Sequence, residues 1–101
     1  MSNPKFCLFE GRHDLPVNQG PLYVDFDFQN FEPIPSPNLE IALEEIKSGD
    51  GVEIYTTGLT PALLHFIGEV AKIDNGALFH TGLITFLNYD RESGQYRPQK
   101  L

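Results

Sequence analysis

The run VEIYTTGLTPALLHFIGEVAK, residues 52–72, constrains the fold more than any other stretch of the chain. It opens as a strand, with Val52 and Ile54 on one side and Thr56 continuing that side. Beyond Gly58 the period lengthens, and Leu63, Phe66, Ile67 and Val70 take the spacing of one buried helical stripe. Thr60 suits the N-cap, and Pro61 suits the first helical position, where its missing N–H costs nothing. Gly68 permits close approach of the helix, and Asp74-Asn75-Gly76 is a stop signal. A strand that turns straight into an amphipathic helix predicts an α/β domain.

The rest of the chain is read around that unit. KFCLFEG (5–11) is a short strand stopped by Gly11, and RHDLPVNQGP (12–21) is loop chemistry. LYVDFDF (22–28) alternates cleanly, predicting Leu22, Val24, Phe26 and Phe28 on one face and Tyr23, Asp25 and Asp27 on the other. QNFEPIPSPN (29–38) is too rich in proline for a central strand or a helix interior. A helix over 39–48 follows, capped by Asn38, with Glu40 in its first turn. LITFLNYD (83–90) is a strand, DRESG a turn and QYRP a short final strand, with the tail from 97 to 101 expected to fray. The order is ββαβαβ with a closing hairpin. It predicts one domain with a mostly parallel or mixed sheet of about four to five strands and two main helices, joined by right-handed crossovers where strands run parallel.

A chain of 101 residues makes one modest core, burying roughly 60–65% of its unfolded surface, so a dimer interface would help it. The formal charge is −7, with nine acidic against three basic residues in 1–50 and five against four in 51–101. That balance argues against wrapping a long nucleic-acid duplex, which needs a positive track. A small anion held by backbone amides and one or two arginines remains compatible. Cys7 is the single cysteine, so no intrachain disulfide forms and a reducing compartment fits. The chain shows neither a basic-then-apolar leader nor a run of membrane-spanning length, so a cytoplasmic protein with no membrane contact is expected.

The corner Thr57-Gly58-Leu59-Thr60-Pro61 leaves the carboxyl end of a strand, where open α/β sheets bind ligands. First-turn amides and the hydroxyls of Thr56, Thr57 and Thr60 suit an anion, with Gly58 allowing close backbone approach. The bland alternative is a turn glycine and a helix cap, since neither a Walker lysine nor a G-x-G-x-x-G series is present. His65 and Glu69 stand four apart on one helix face with Lys72 beyond them, either as a general base near the corner or as an ordinary surface pair. His80 lies in the loop before the last long strand, where a histidine, the side chain whose ordinary pKa is nearest neutrality, suits proton transfer or stays a surface residue. His13-Asp14 lies in an earlier loop. Asp90-Arg91 ends that last strand: Arg91 can face a phosphate and Asp90 a metal or water, or both can serve a hairpin turn. Asp25 and Asp27 share a strand face, as a metal site or as solvated alternation. No paired cysteines, H-E-x-x-H or Ser-His-Asp order is present, which removes zinc and acyl-transfer chemistry.

Taken together, VEIYTTGLTPALLHFIGEVA and LITFLNYDRESGQYRPQ resemble the small CRISPR-associated proteins of type III systems, specifically the ring nucleases that degrade cyclic oligoadenylate messengers. Tyr55, Gly58 and Pro61, then Tyr89, Asp90, Gly94 and Tyr96, carry the likeness, which covers about half the chain. The resemblance implies a homodimer, whose two-fold symmetry suits a cyclic ligand. It also implies in-line attack by a ribose 2′-hydroxyl, giving a 2′,3′-cyclic phosphate. Some related enzymes use Mn²⁺ and others only positioning and electrostatics. On that reading Thr57, Gly58, Leu59, Thr60 and Arg91 bind the ligand, Asp90 assists, and His80 or His65 transfers the proton. Two readings compete with it. One is a non-catalytic nucleotide sensor or an acidic module that inhibits or caps another protein. The other is a plain structural domain whose loop at 33–37 docks on a neighbour.

Overall fold

A computed structural model describes residues 3–9, 17, 19–56, 60–79 and 81–101. Its elements are β1 (Lys5–Cys7), β2 (Gly20–Pro21), β3 (Tyr23–Asp27), β4 (Glu32–Pro35), α1 (Pro37–Lys47), β5 (Val52–Tyr55), α2 (Thr60–Ala71), β6 (Ile84–Asp90) and β7 (Gln95–Lys100). The main sheet has five strands in the order β2-β1-β5-β6-β7, and β3 and β4 form a separate two-stranded sheet. All pairings in the main sheet are parallel except β6 with β7. The expected mixed, mostly parallel sheet with two helices is therefore present.

Parallel neighbours need long connections, and α1 and α2 lie in those that lead from β1 to β5 and from β5 to β6. Because β1, β5 and β6 follow chain order across the sheet, crossovers of one hand lay both helices on one side. The core agrees. Phe6, Val52, Ile54, Ile84 and Phe86 of the sheet share a cluster with Leu39, Ala42, Leu43 and Ile46 of α1 and with Ala62, Phe66 and Val70 of α2. Cys7, Tyr55 and Leu87 form a small second cluster with Val17 and Tyr96. Strand alternation places that cluster on the helix-free face.

α2 begins at Thr60, so Thr60 is its first helical residue rather than its cap and Pro61 is the second; three further expectations fail locally, each for a physical reason. Leu22 and Tyr23 are both fully buried, whereas Val24 is exposed. The pairing Tyr23↔Pro35 followed by Asp25↔Ile34 puts a bulge at Val24, so the alternation changes phase there. Pro33 and Pro35 have no N–H to give, which leaves the ladder of this short pair open to such a slip. The cap of α1 is Ser36 rather than Asn38, and the helix starts at Pro37. Ser36 Oγ accepts from Asn38 N–H (3.1 Å) and donates to the Pro21 carbonyl (2.6 Å). Asn38 Nδ2 donates to the same carbonyl (3.0 Å), so both side chains tie the helix start to β2. Gly20 is required in that knot: its φ is +105°, and a Cβ there would lie 3.0 Å from Asn38 Nδ2.

The third correction is the tail. Residues 97–100 do not fray but continue β7, with Arg97↔Asn88, Pro98↔Leu87, Gln99↔Phe86 and Lys100↔Thr85. Leu101 N–H donates to the Ile84 carbonyl (2.9 Å), and its side chain packs on the core. Pro98 is tolerated because β7 is an edge strand. At the other end of α2, Asp74, Asn75 and Gly76 all have positive φ, which ends the helix where the sequence signalled. No helix of the described residues is long and apolar enough to cross a membrane.

Candidate functional site

Thr56 follows β5 directly, and α2 begins at Thr60. Of the predicted anion corner, Thr57, Gly58 and Leu59 lie outside the described residues, as do His80 and His13-Asp14. What is described is the ground on which the corner stands. A cleft of about 170 Å³ runs beside α2, walled by Leu63, Ile67 and Phe86, with Thr56, Asn88 and Gln99 as polar lining and Lys100 and Leu101 at its β7 side. Thr56 Oγ1 donates to Asn88 Oδ1 (2.8 Å), with the Leu87 carbonyl at 3.3 Å, and Asn88 Nδ2 donates to Gln99 Oε1 (3.0 Å). A polar row thus crosses three strands at the carboxyl ends of β5 and β6. The reversal of strand order lies one strand away, where β2 and β5 flank β1.

Asn88 is the residue that sequence reasoning missed. It interrupts the apolar set of LITFLNYD on the face that Ile84 and Phe86 present to the helices, and that interruption is the signal that could have marked it.

Asp90 serves the hairpin turn. Asp90 accepts from Glu92 N–H and Ser93 Oγ, each at 3.0 Å, and lies 3.3 Å from Arg97 Nη1. Hydrogen bonding, first from the Ser93 hydroxyl and then from the Glu92 amide, holds its carboxyl below the ordinary carboxylate value. Arg91 is exposed in that turn and makes no ion pair among the described residues.

Asp27 is lowered likewise, first by the Asn30 side chain. Both groups have native values below their unfolded ones. The stability they contribute is complete above the ordinary carboxylate range and is lost as pH falls through the lowered native values. We therefore expect the urea midpoint to fall on acidification from about pH 5 to about pH 2. The double variant Asp27→Asn/Asp90→Asn should show a shallower fall. An acid profile identical in both proteins would contradict the assignment.

His65 is held elsewhere. Its Nδ1 lies 2.7 Å from the Tyr23 hydroxyl, with the two rings edge to face at 5.5 Å. Its Nε2 lies 3.8 Å from Glu69 Oε1, which also receives Lys72 Nζ at 3.0 Å. Burial, and then the Glu69 charge, push the Tyr23 hydroxyl far above the ordinary phenol range. Tyr23 therefore stays protonated, and its hydroxyl is hydrogen-bonded to His65 Nδ1. At 100° per residue His65 is turned about 160–200° from Leu63 and Ile67, so it faces the β3 side of α2 and not the cleft. Asp90 and His65 are not brought together.

Among the described residues, no group of three or more His, Cys, Asp or Glu side chains is arranged to hold a metal. Asp25 and Asp27 instead serve local backbone: Asp25 accepts from Phe26 N–H and Asp27 from the turn that follows. The described donor set does not fit Mn²⁺. No family model, curated protein or solved structure matches the chain.

Proposed function

We propose that the protein is a ring nuclease that opens a cyclic oligoadenylate, acting as a homodimer to switch off type III CRISPR signalling. One observation carries the reading. The two stretches on which the family resemblance rests become neighbours, β5–α2 and β6–β7, and jointly line one cleft: Thr56, Leu63 and Ile67 come from the first, Phe86, Asn88 and Gln99 from the second. At about 170 Å³ the cleft is smaller than the roughly 300–1,000 Å³ that encloses a whole drug-sized ligand. It suits one nucleotide unit, and a two-fold partner supplies a second cleft to the same ring.

The chemistry asks little of a base. The ribose 2′-oxygen attacks the adjacent phosphorus as the P–O5′ bond breaks. The 2′-proton leaves to solvent or a nearby acceptor, the 5′-oxygen takes up a proton, and a 2′,3′-cyclic phosphate remains. The protein's task is to hold the 2′-oxygen, phosphorus and 5′-oxygen in line and to offer donors to the phosphoryl oxygens. Thr56 and Asn88 present polar groups inside the cleft. Lys100 at its edge, the first turn of α2 and Arg91 beyond β6 supply positive character to an otherwise acidic molecule. No step is assigned to a metal.

The test is incubation of the purified protein with cyclic tetra-adenylate and cyclic hexa-adenylate, with EDTA or Mn²⁺, resolved by chromatography. Linear products ending in 2′,3′-cyclic phosphate that form in EDTA are expected. Tight binding of an intact ring identifies a sensor instead, and intact rings that do not bind in calorimetry overturn the reading.

A further inference from the structure

The β3–β4 hairpin departs most from what a turn ordinarily exposes. Phe28 is 73% exposed and Phe31 65%, and both rings stand edge to face against the buried Phe26, at 4.9 and 5.1 Å. Phe31 holds φ +55°, a conformation that glycine or asparagine adopts more readily. The backbone between them is pinned: Asp27 Oδ1 accepts from Gln29 N–H (2.9 Å) and Asn30 N–H (3.3 Å), and Oδ2 accepts from Asn30 Nδ2 (2.8 Å). The tip therefore offers two aromatic anchors already in place, the arrangement that loses least entropy on binding.

The charged residues of the hairpin itself, Asp25, Asp27 and Glu32, all carry one sign. The pairs Asp25↔Ile34 and Asp27↔Glu32 put three carboxylates around Ile34 on the other face of the hairpin. Between Arg12 and Lys47 the sequence holds no lysine or arginine, while Glu40, Glu44 and Glu45 follow on α1. Nucleic acid and anionic membranes are repelled by an element of that charge. A second copy meeting the hairpin tip to tip would bring these carboxylates against their own counterparts.

From the anchors and the charge together, we propose that the β3–β4 hairpin is a docking element for a protein partner presenting an apolar recess bordered by lysine and arginine. The inference is independent of the reading of the cleft.

The experiment is selection of a random-sequence peptide display library on the full chain, followed by binding of the selected peptides to variants. Peptides with an apolar run flanked by Lys or Arg are expected. They should bind more weakly as salt rises and lose at least about tenfold in affinity to Phe28→Ser/Phe31→Asn. Phe31→Asn alone suits the left-handed position, so its thermal midpoint should hold while binding falls. Asp25→Lys/Glu32→Lys keeps both rings and should lose the same peptides. Absence of enrichment, peptides indifferent to all three variants, or peptides without basic flanks would overturn the proposal. Sedimentation equilibrium showing self-association that Phe28→Ser/Phe31→Asn abolishes would overturn it in favour of a second copy.

Discussion

Phe66→Ala is expected to lower the unfolding free energy by about 3–5 kcal/mol, the largest single-residue loss we foresee in this chain. Phe66 is fully buried and meets Phe86 edge to face at 6.2 Å, the rings at 90°. It is the only aromatic residue on the buried stripe of α2, between Ala62 and Val70, so that stripe has no second ring to fill the space it leaves. A domain of this size has about 5–15 kcal/mol in total, so the variant sits close to unfolding at physiological temperature. Leu64, two positions away, is 63% exposed, and Leu64→Ala should change stability by no more than about 0.5 kcal/mol. Urea titration of both proteins checks the pair. Comparable losses at the two positions would mean that α2 does not present its Phe66 face to the sheet.

The contrast also shows what was legible in the sequence. The change of period after Gly58, the proline at 61 and the Asp-Asn-Gly stop are local signals, and the β5–α2 unit they predicted is present with Phe66 and Val70 inside. β6 was legible for the same reason, since seven residues of strand leave little room for another period. The phase of β3 was not. Leu22 to Phe28 alternates without fault in sequence, and the slip at Val24 belongs to its pairing with a strand that carries two prolines. The end of the chain was misread similarly: Pro98 suggests a stop only until β7 is known to be an edge strand with Leu101 anchored on the core. In the candidate site, Asp90 and Arg91 were visible as residues, but whether Asp90 faces a ligand or its own turn depends on Ser93 and Glu92. His65 was visible too. Its partner Tyr23, 42 positions earlier, was not, because only the tertiary fold brings β3 against α2.

That displacement of His65 makes the ring-nuclease reading testable residue by residue. Asn88→Ala is expected to slow single-turnover cleavage of cyclic tetra-adenylate by about 100-fold. Asn88 is the middle of the polar row. Without it Thr56 Oγ1 loses the acceptor at 2.8 Å and Gln99 loses the donor at 3.0 Å, so the polar groups that line the cleft are no longer held in register. Asn88 is half-buried and water can replace its partners, so the fold should lose no more than about 1 kcal/mol. His65→Ala should leave the rate within about threefold, because the imidazole faces Tyr23 from the far side of α2 and in-line attack relies on alignment more than on a strong base. Equal losses in the two variants would require His65 to act on the cleft of a second copy, which mixing Asn88→Ala with His65→Ala protein would reveal by partial recovery of activity. A full rate in Asn88→Ala, with product still forming, would remove the Thr56–Asn88–Gln99 row from the site and leave the corner at 57–59 as the remaining place for the chemistry.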